Sequence, residues 1–282
     1  MPDLPANVHK LIQLALEEDL GSGDITTEAL IDDRKGQASI LAKEACVVCG
    51  LEVAGAVYET LDPSIHFVSR AEEGSEVEGG SCLANFEGPL ASLLKGERTV
   101  LNFLQRMCGV ASLSRRFVQK AADRVIVLDS RKTIPGWRWL DKLAVRTGGC
   151  TNHRMGLYDG ILIKDNHISV CGGIIEAVEM VRADAPPNMT IEVEVESLDG
   201  LREALEAGVD IVMLDNFLPQ QIEDAIQIAG GKVNLEVSGG ITLENLEDYI
   251  QYEGVDFIST GYMTHSALSS DISMEILCPL RG

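Results

Sequence analysis

The sequence predicts two α/β regions of different kinds: an irregular α+β part over residues 1–110, then a β/α barrel over 111–265. Three observations carry that expectation. Beyond residue 124, short apolar runs alternate with helix-length amphipathic segments, the mark of parallel βαβ units. Each apolar run ends in polar residues, and chemistry at the C-terminal ends of parallel strands is the habit of a barrel. Before residue 110, strands and helices mix without a regular repeat. An open doubly wound sheet shares the local pattern, but polar ends on every strand favour the barrel.

In the first region, Val8, Leu11, Ile12, Ala15 and Leu16 follow a helical period over Val8–Leu20, and Gly21 stands where a C-terminal cap belongs. Ala38–Ala42, Cys46–Val48 and His66–Ser69 read as strands, and Glu52–Leu61 as a helix. Gly74–Gly80 reads as an acidic turn, helical material is expected from Pro89 onward, and a long helix between Glu97 and Ala122. In the second region, strands are expected at Val125–Leu128, Gly160–Ile163, Ile191–Val195, Ile211–Leu214, Val233–Val237 and Phe257–Ser259, with a short seventh around Cys150–Arg154. Ile174–Arg182, Leu201–Ala207, Gln221–Ile228 and Leu243–Gln251 are the expected helices between them.

Composition narrows the function. The chain has 282 residues, 45% hydrophobic and 24% charged, with a net charge of −21. That balance argues against nucleic acid as the main partner. No apolar run is long enough to cross a bilayer, and MPDLPANVHK lacks the pattern of a secretory signal, so a cytoplasmic protein is expected. The seven cysteines, Cys46, Cys49, Cys82, Cys108, Cys150, Cys171 and Cys278, are scattered and odd in number, which suits reduced thiols. Cys46-Val-Val-Cys49 has metal-site spacing but no second pair, and reads better as a buried strand. His9, His66 and His265 have no motif partner and are taken as structural.

The charge is unevenly placed. Lys95 to Lys164 holds 14 Lys/Arg against 5 Asp/Glu, whereas the rest holds 9 against 39. An acidic chain that gathers its cations in this way is expected to bind a small polyanion. Arg131, Lys132, His153, Arg154 and Lys164 follow three strand ends and would form a cationic pocket at one barrel mouth. Ser238-Gly239-Gly240 and Thr260-Gly261 end the last two strands. There, glycine lets backbone N–H groups approach an anion, and a helix is expected to start at Thr242. Glu192, Glu194 and Glu196 alternate in IEVEVES and are expected on one strand face. Such a cluster needs cations or metal to neutralise it, and Glu194 and Asp215 would share a ligand. Lys164 also admits an aldolase-like reading as a Schiff-base nucleophile.

The motifs GERTVLNFLQRMCGVAS, DSRKTIPGWRWLDKLAVRTGGCTNHRMGLYDGILIKDNH, IEVEVESL, VMLDNF, EVSGGIT and ISTGYMTHS occur in order, after EEDLGSGDITT. Together they resemble the quinolinate phosphoribosyltransferase family over most of the chain. The resemblance implies an N-terminal α/β sandwich, an incomplete seven-stranded β/α barrel, and a tail over 266–282 that packs back on the N-terminal domain. It implies transfer from 5-phosphoribosyl-1-pyrophosphate to quinolinate with loss of carbon dioxide, using magnesium, in the de novo route to NAD. It also implies a homodimer or higher oligomer, with Arg98 entering the neighbouring active site.

By the same resemblance, Arg131, His153, Arg154 and Lys164 grip the two carboxylates. Lys132, Glu194 and Asp215 meet the ribosyl pyrophosphate, Thr133 joins the substrate-binding set, and Ser238, Gly239, Gly240 and Gly261 hold the 5-phosphate. Lys132, Lys164, Glu194 and Asp215 would carry the catalysis, while the metal's protein ligands stay open. The alternatives are a related enzyme acting on another aromatic acid and a non-catalytic phosphometabolite-binding barrel.

Overall fold

The structure is a computed structural model that describes residues 4–186 and 189–277. Cys278 and the end of the expected tail, 278–282, lie outside the described residues. Contacts divide the chain into two units. The first comprises Met1–Arg115, Ile134–Gly149 and Ala267–Gly282, and the second comprises Arg116–Thr133 and Cys150–Ser266.

The first unit opens with α1 (Ala6–Leu20), which buries Val8, Ile12 and Leu16, the face that the helical period marks. Gly21 caps it at φ +49°, its N–H reaching the carbonyl of Glu17. Asp24 caps α2 (Ile25–Leu30), taking the amides of Thr26 and Thr27. Next come β1 (Lys35–Ala42), β2 (Cys46–Val47), α3 (Leu51–Leu61), β3 (His66–Ser69), β4 (Glu76–Val77) and β5 (Cys82–Pro89). The acidic turn over 74–80 therefore contains a short strand, β4, paired with β2. Cys46 and Cys49 are buried free thiols, as the strand reading of that motif expects.

The helical material expected from Pro89 onward and the long helix expected between Glu97 and Ala122 are one helix, α4 (Leu90–Ala121), which runs directly out of β5. After β6 (Ile126–Leu128), the chain forms α5 (Arg138–Thr147). Residues 134–149 were expected inside a continuous barrel region, yet they belong to the first unit. Trp137 stacks on Phe103 with ring centroids 4.9 Å apart, and Asp141, 1% exposed, pairs with Arg106 at 3.1 Å. A Cβ at Gly148 would stand 2.4 Å from the carbonyl of Ala111, so that approach requires glycine. The described part of the C-terminal tail also joins this unit. Its strand pairs antiparallel with β1, from Gln37 opposite Leu277 to Ala42 opposite Ile272.

The second unit continues with β7 (Ile161–Ile163), α6 (Asp165–Cys171), α7 (Ile174–Asp184), β8 (Ile191–Val195), α8 (Leu198–Ala207), β9 (Ile211–Asp215) and α9 (Pro219–Ala229). It closes with β10 (Asn234–Ser238), α10 (Glu247–Ile250), β11 (Phe257–Ser259) and α11 (Tyr262–His265); β12 (Ile272–Leu277) is the tail strand. In the first unit, β12-β1-β5-β3 form a four-stranded sheet. In the second, six parallel strands run in the order β6-β11-β10-β9-β8-β7, so the first strand returns beside the last. This sequential order differs from that of a doubly wound sheet. Val193, Val212, Leu214, Val237 and Ile258 are fully buried, each worth roughly 1.5–3 kcal/mol of burial. The helix expected over Leu243–Gln251 shrinks to α10. The cause is Asn245, whose side chain takes the Thr242 amide at 2.8 Å and donates to the Gly240 carbonyl at 3.0 Å, holding the segment as a turn.

Candidate active site

All six strands of the second unit deliver polar residues to their C-terminal ends, and these ends enclose a cavity of about 360 Å³. Its walls include Arg131 and Lys132 after β6, His153 and Arg154, Lys164 after β7, Glu194 from β8 and Asp215 from β9. Ser130, Lys132, Ser238 and Ser259 also line a second cavity, of about 160 Å³, with Gly239, Gly240 and Gly261. Most of the residues expected at the site therefore meet in one place. Arg98 stands exposed on α4 in the first unit, and neither it nor Thr133 is among these lining residues.

Local interactions fix the cationic side. Asp129, fully buried at the end of β6, accepts the backbone amide of His153 at 2.8 Å and the Asn152 side chain at 2.9 Å. That carboxylate pins the His153–Arg154 segment to β6, a function that no local sequence pattern marks. Arg131 has a buried Nε with no acceptor, although an orphaned buried donor is costly. Arg154 donates to the carbonyl of Gly160. Burial, followed by the neighbouring charge of Arg131, holds Arg154 below the ordinary guanidinium value. Two desolvated guanidinium groups side by side suit an anionic ligand that neutralises both.

The acidic side is less uniform than the alternation in IEVEVES suggests. Glu194 forms a close ion pair with Lys164 at the cavity wall. Glu192 is buried beneath it, whereas Glu196 lies past the end of β8 and is exposed. Asp215 accepts from Asn216 Nδ2 at 2.6 Å. His153 Nε2 faces Glu192 at 3.2 Å and Glu236 at 3.7 Å, so its acidic partners come from strand interiors. Burial, then the like charge of Glu192, pushes Glu236 up to about 7.

The glycine loops form the second cavity's cradle. Gly239 has φ +95°, and a Cβ there would stand 2.3 Å from Asn216 Oδ1. Gly261 packs under Lys132, where a Cβ would meet Lys132 Cδ at 2.8 Å. The helix start expected at Thr242 is absent, so an anion here would meet loop amides. Elsewhere the basic island has ordinary partners: Arg115 pairs with Glu76 and Arg124 with Glu247. Only part of that charge excess therefore faces the cavity.

A parallel α/β unit, with a dicationic wall and a glycine cradle at its strand ends, defines an enzyme class that handles small, multiply charged, phosphorylated substrates. Residues 24–108 match the quinolinate phosphoribosyl transferase N-terminal domain, and residues 110–275 match the C-terminal domain of the same family. The probable nicotinate-nucleotide pyrophosphorylase [carboxylating] of Bacillus subtilis is 41% identical over 268 residues, 95% of this chain and 92% of that protein. Its Methanocaldococcus jannaschii counterpart is 41% identical over 279 residues, 95% and 96% of the two chains. The nicotinate-nucleotide pyrophosphorylase structure from Francisella tularensis superposes with a TM-score of 0.92 at 39% identity, covering 98% of each chain. This chain belongs to the quinolinate phosphoribosyl transferase family.

Proposed function

We propose that this protein transfers the phosphoribosyl group of 5-phosphoribosyl-1-pyrophosphate to quinolinate, yielding nicotinate mononucleotide, pyrophosphate and carbon dioxide. The observation that carries this reading is one cavity in which Arg131, Arg154, Lys132 and Lys164 face Glu194 and Asp215, next to the Gly239–Gly240–Gly261 cradle. Two adjacent guanidinium groups suit the two carboxylates of quinolinate, and the cradle suits the 5-phosphate.

In the reaction, the bond from ribose C1 to pyrophosphate breaks, and its electron pair leaves on the pyrophosphate. Lys132 and Lys164 neutralise that charge, while Glu194 and Asp215 stabilise the cationic character left at C1. The pyridine nitrogen lone pair then forms the new C1–N bond. The resulting ring cation holds the electron pair released when the adjacent carboxylate departs as carbon dioxide, and a proton then fills that position. No bond to the protein is needed. Lys164 is directed at Glu194, an arrangement that serves this chemistry better than a Schiff base does.

Magnesium fits here only as a companion of the co-substrate. Glu194 is engaged by Lys164, so Asp215 would hold the ion beside pyrophosphate oxygens. Its contribution when bound is neutralisation of the leaving group. The scaffold we read comprises an incomplete seven-stranded β/α barrel and an N-terminal α/β sandwich. The isolated parallel bridge between Leu128 and Thr151 supports a seventh stave at Cys150–Arg154. The assembly we read is a homodimer or higher oligomer with Arg98 completing a neighbouring site. The compartment we read is cytoplasmic, supported by the free buried thiols. The direct test combines protein, quinolinate, ribosyl pyrophosphate and magnesium. Nicotinate mononucleotide should form only in the complete mixture, and its absence there refutes the proposal.

A further inference from the structure

Below the cavity wall lie two carboxyl groups that the reaction above does not use. Glu192 is 5% exposed and Glu236 is 1% exposed. Each has one oxygen directed at His153 Nε2 and one buried oxygen, Oε1, that receives no donor. One oxygen of each carboxylate also lies within 4.8 Å of an oxygen of the other. Paired buried carboxylates repel unless one carries a proton that the other accepts.

A divalent cation between His153, Glu192 and Glu236 is the other arrangement the cluster suggests, because their ligand atoms lie within 4.8 Å of one another. The histidine opposes it. Nδ1 accepts the backbone amide of Arg154 at 2.8 Å, so the ring proton sits on Nε2 and no lone pair is left there for a metal. That N–H points to Glu192 instead.

We infer that Glu236 is a positioning residue of the carboxylate-binding wall: protonated, it donates to Glu192, which holds His153 Nε2–H, and His153 Nδ1 in turn holds the amide of Arg154. The inference rests on the reading of this cavity as a quinolinate pocket. His153 then acts through Arg154, since both ring nitrogens are engaged within the protein. The arrangement also leaves one negative charge in the pair instead of two, which preserves the attraction of Arg131 and Arg154 for a dianion.

The test is calorimetric titration of the intact protein with benzene-1,2-dicarboxylate, a non-reacting mimic of quinolinate. It is run on the native chain, Glu236→Gln and Glu236→Leu, with the KM for each substrate measured alongside. The Gln amide keeps a donor for Glu192 and the Leu side chain does not. Glu236→Leu should bind the diacid about tenfold more weakly, the scale of a lost buried hydrogen-bond partner. Its KM should rise for quinolinate and stay unchanged for the ribosyl pyrophosphate. Glu236→Gln should restore both values. Equal losses in the two variants, or any loss in Glu236→Gln beyond about tenfold, would overturn the inference whether or not Glu236→Leu folds. An unaltered Kd in Glu236→Leu, or parallel rises in both KM values, would overturn it as well. Failure of the native chain to bind the diacid would instead remove the quinolinate reading itself.

Discussion

At the scale of single residues, the site combines side chains the sequence displays with side chains it conceals. Arg131, Lys132 and Lys164 stand shortly after apolar runs, and Arg154 closes the short stave expected at Cys150–Arg154, so their common location follows from strand topology. Asp129, Glu192 and Glu236 were not assignable in the same way. Each is an acid inside or at the end of a buried strand, and its partner comes from another strand or loop at a distance no local pattern encodes. Arg131 supplies the most direct prediction. Its buried Nε has no acceptor, so the native fold gains little from it, whereas a bound carboxylate gains a charged hydrogen bond worth about 1.5–3 kcal/mol. Arg131→Ala should therefore raise the KM for quinolinate on the order of ten- to a hundredfold. Urea denaturation should show stability unchanged or increased, and a marked loss would move Arg131 from substrate binding to structure. Glu236 predicts a pH dependence. Its carboxyl is raised from 4.5 to about 7 in the folded state, so the folded protein holds that proton more tightly than the unfolded chain. Stability from this group is complete below the unfolded value and is lost as pH rises from about 4.5 through about 7, on the order of 3 kcal/mol in all. Glu236→Gln, which cannot ionise, should lose less stability over that range than the native chain. Parallel unfolding free energies across that pH range would count against it.

At the scale of elements, legibility followed the type of burial. The parallel strands were readable because both faces are buried, which gives continuous apolar runs such as Ile211–Leu214. The helix α5 was not readable, because its buried set includes Asp141 and Lys142 beside Leu140, Ala144 and Val145. Polar residues at core positions erase the period from which a helix is recognised. The strand β5 was concealed differently, since CLANFEGP ends in turn-like Gly88 and Pro89 yet pairs with β1 and β3. The helix expected from Thr242 failed because Asn245 stabilises a competing turn. That turn and the β10 end give an element-scale prediction. Gly239 needs its positive φ and has no room for a Cβ, whereas Gly240, at φ +61°, has nothing within 4 Å. Gly239→Ala should displace the cradle at a strain of roughly 1–3 kcal/mol and raise the KM for the ribosyl pyrophosphate, with little change for quinolinate. Gly240→Asn should be far milder, because asparagine tolerates the left-handed region. Similar kinetics for the two variants would separate the cradle from phosphate binding.

At the scale of the whole molecule, the open matter is where the basic island from Lys95 to Lys164 acts. Arg106, Arg115 and Arg124 are held by acids of their own chain, while Arg131, Lys132, Arg154 and Lys164 face the cavity. Arg98 fits neither group: it is exposed on α4 and is not among the residues lining its own chain's cavity. Service to a second subunit would explain it, and that idea makes a quantitative prediction. If each site uses its own Arg131 and the partner's Arg98, then Arg98→Ala and Arg131→Ala homodimers should both be weak catalysts. Mixing them and allowing subunits to exchange produces heterodimers. In each, one site has lost both arginines and the other has regained both. Equal mixing makes half of the dimers mixed, so about a quarter of all sites, and of the native activity, should return. The recovery should grow with exchange time and vanish when exchange is blocked by crosslinking beforehand. Were both arginines to act within one chain, every site in the mixture would still lack one of them. Activity would then stay at the average of the two variants, however long the subunits were left to exchange.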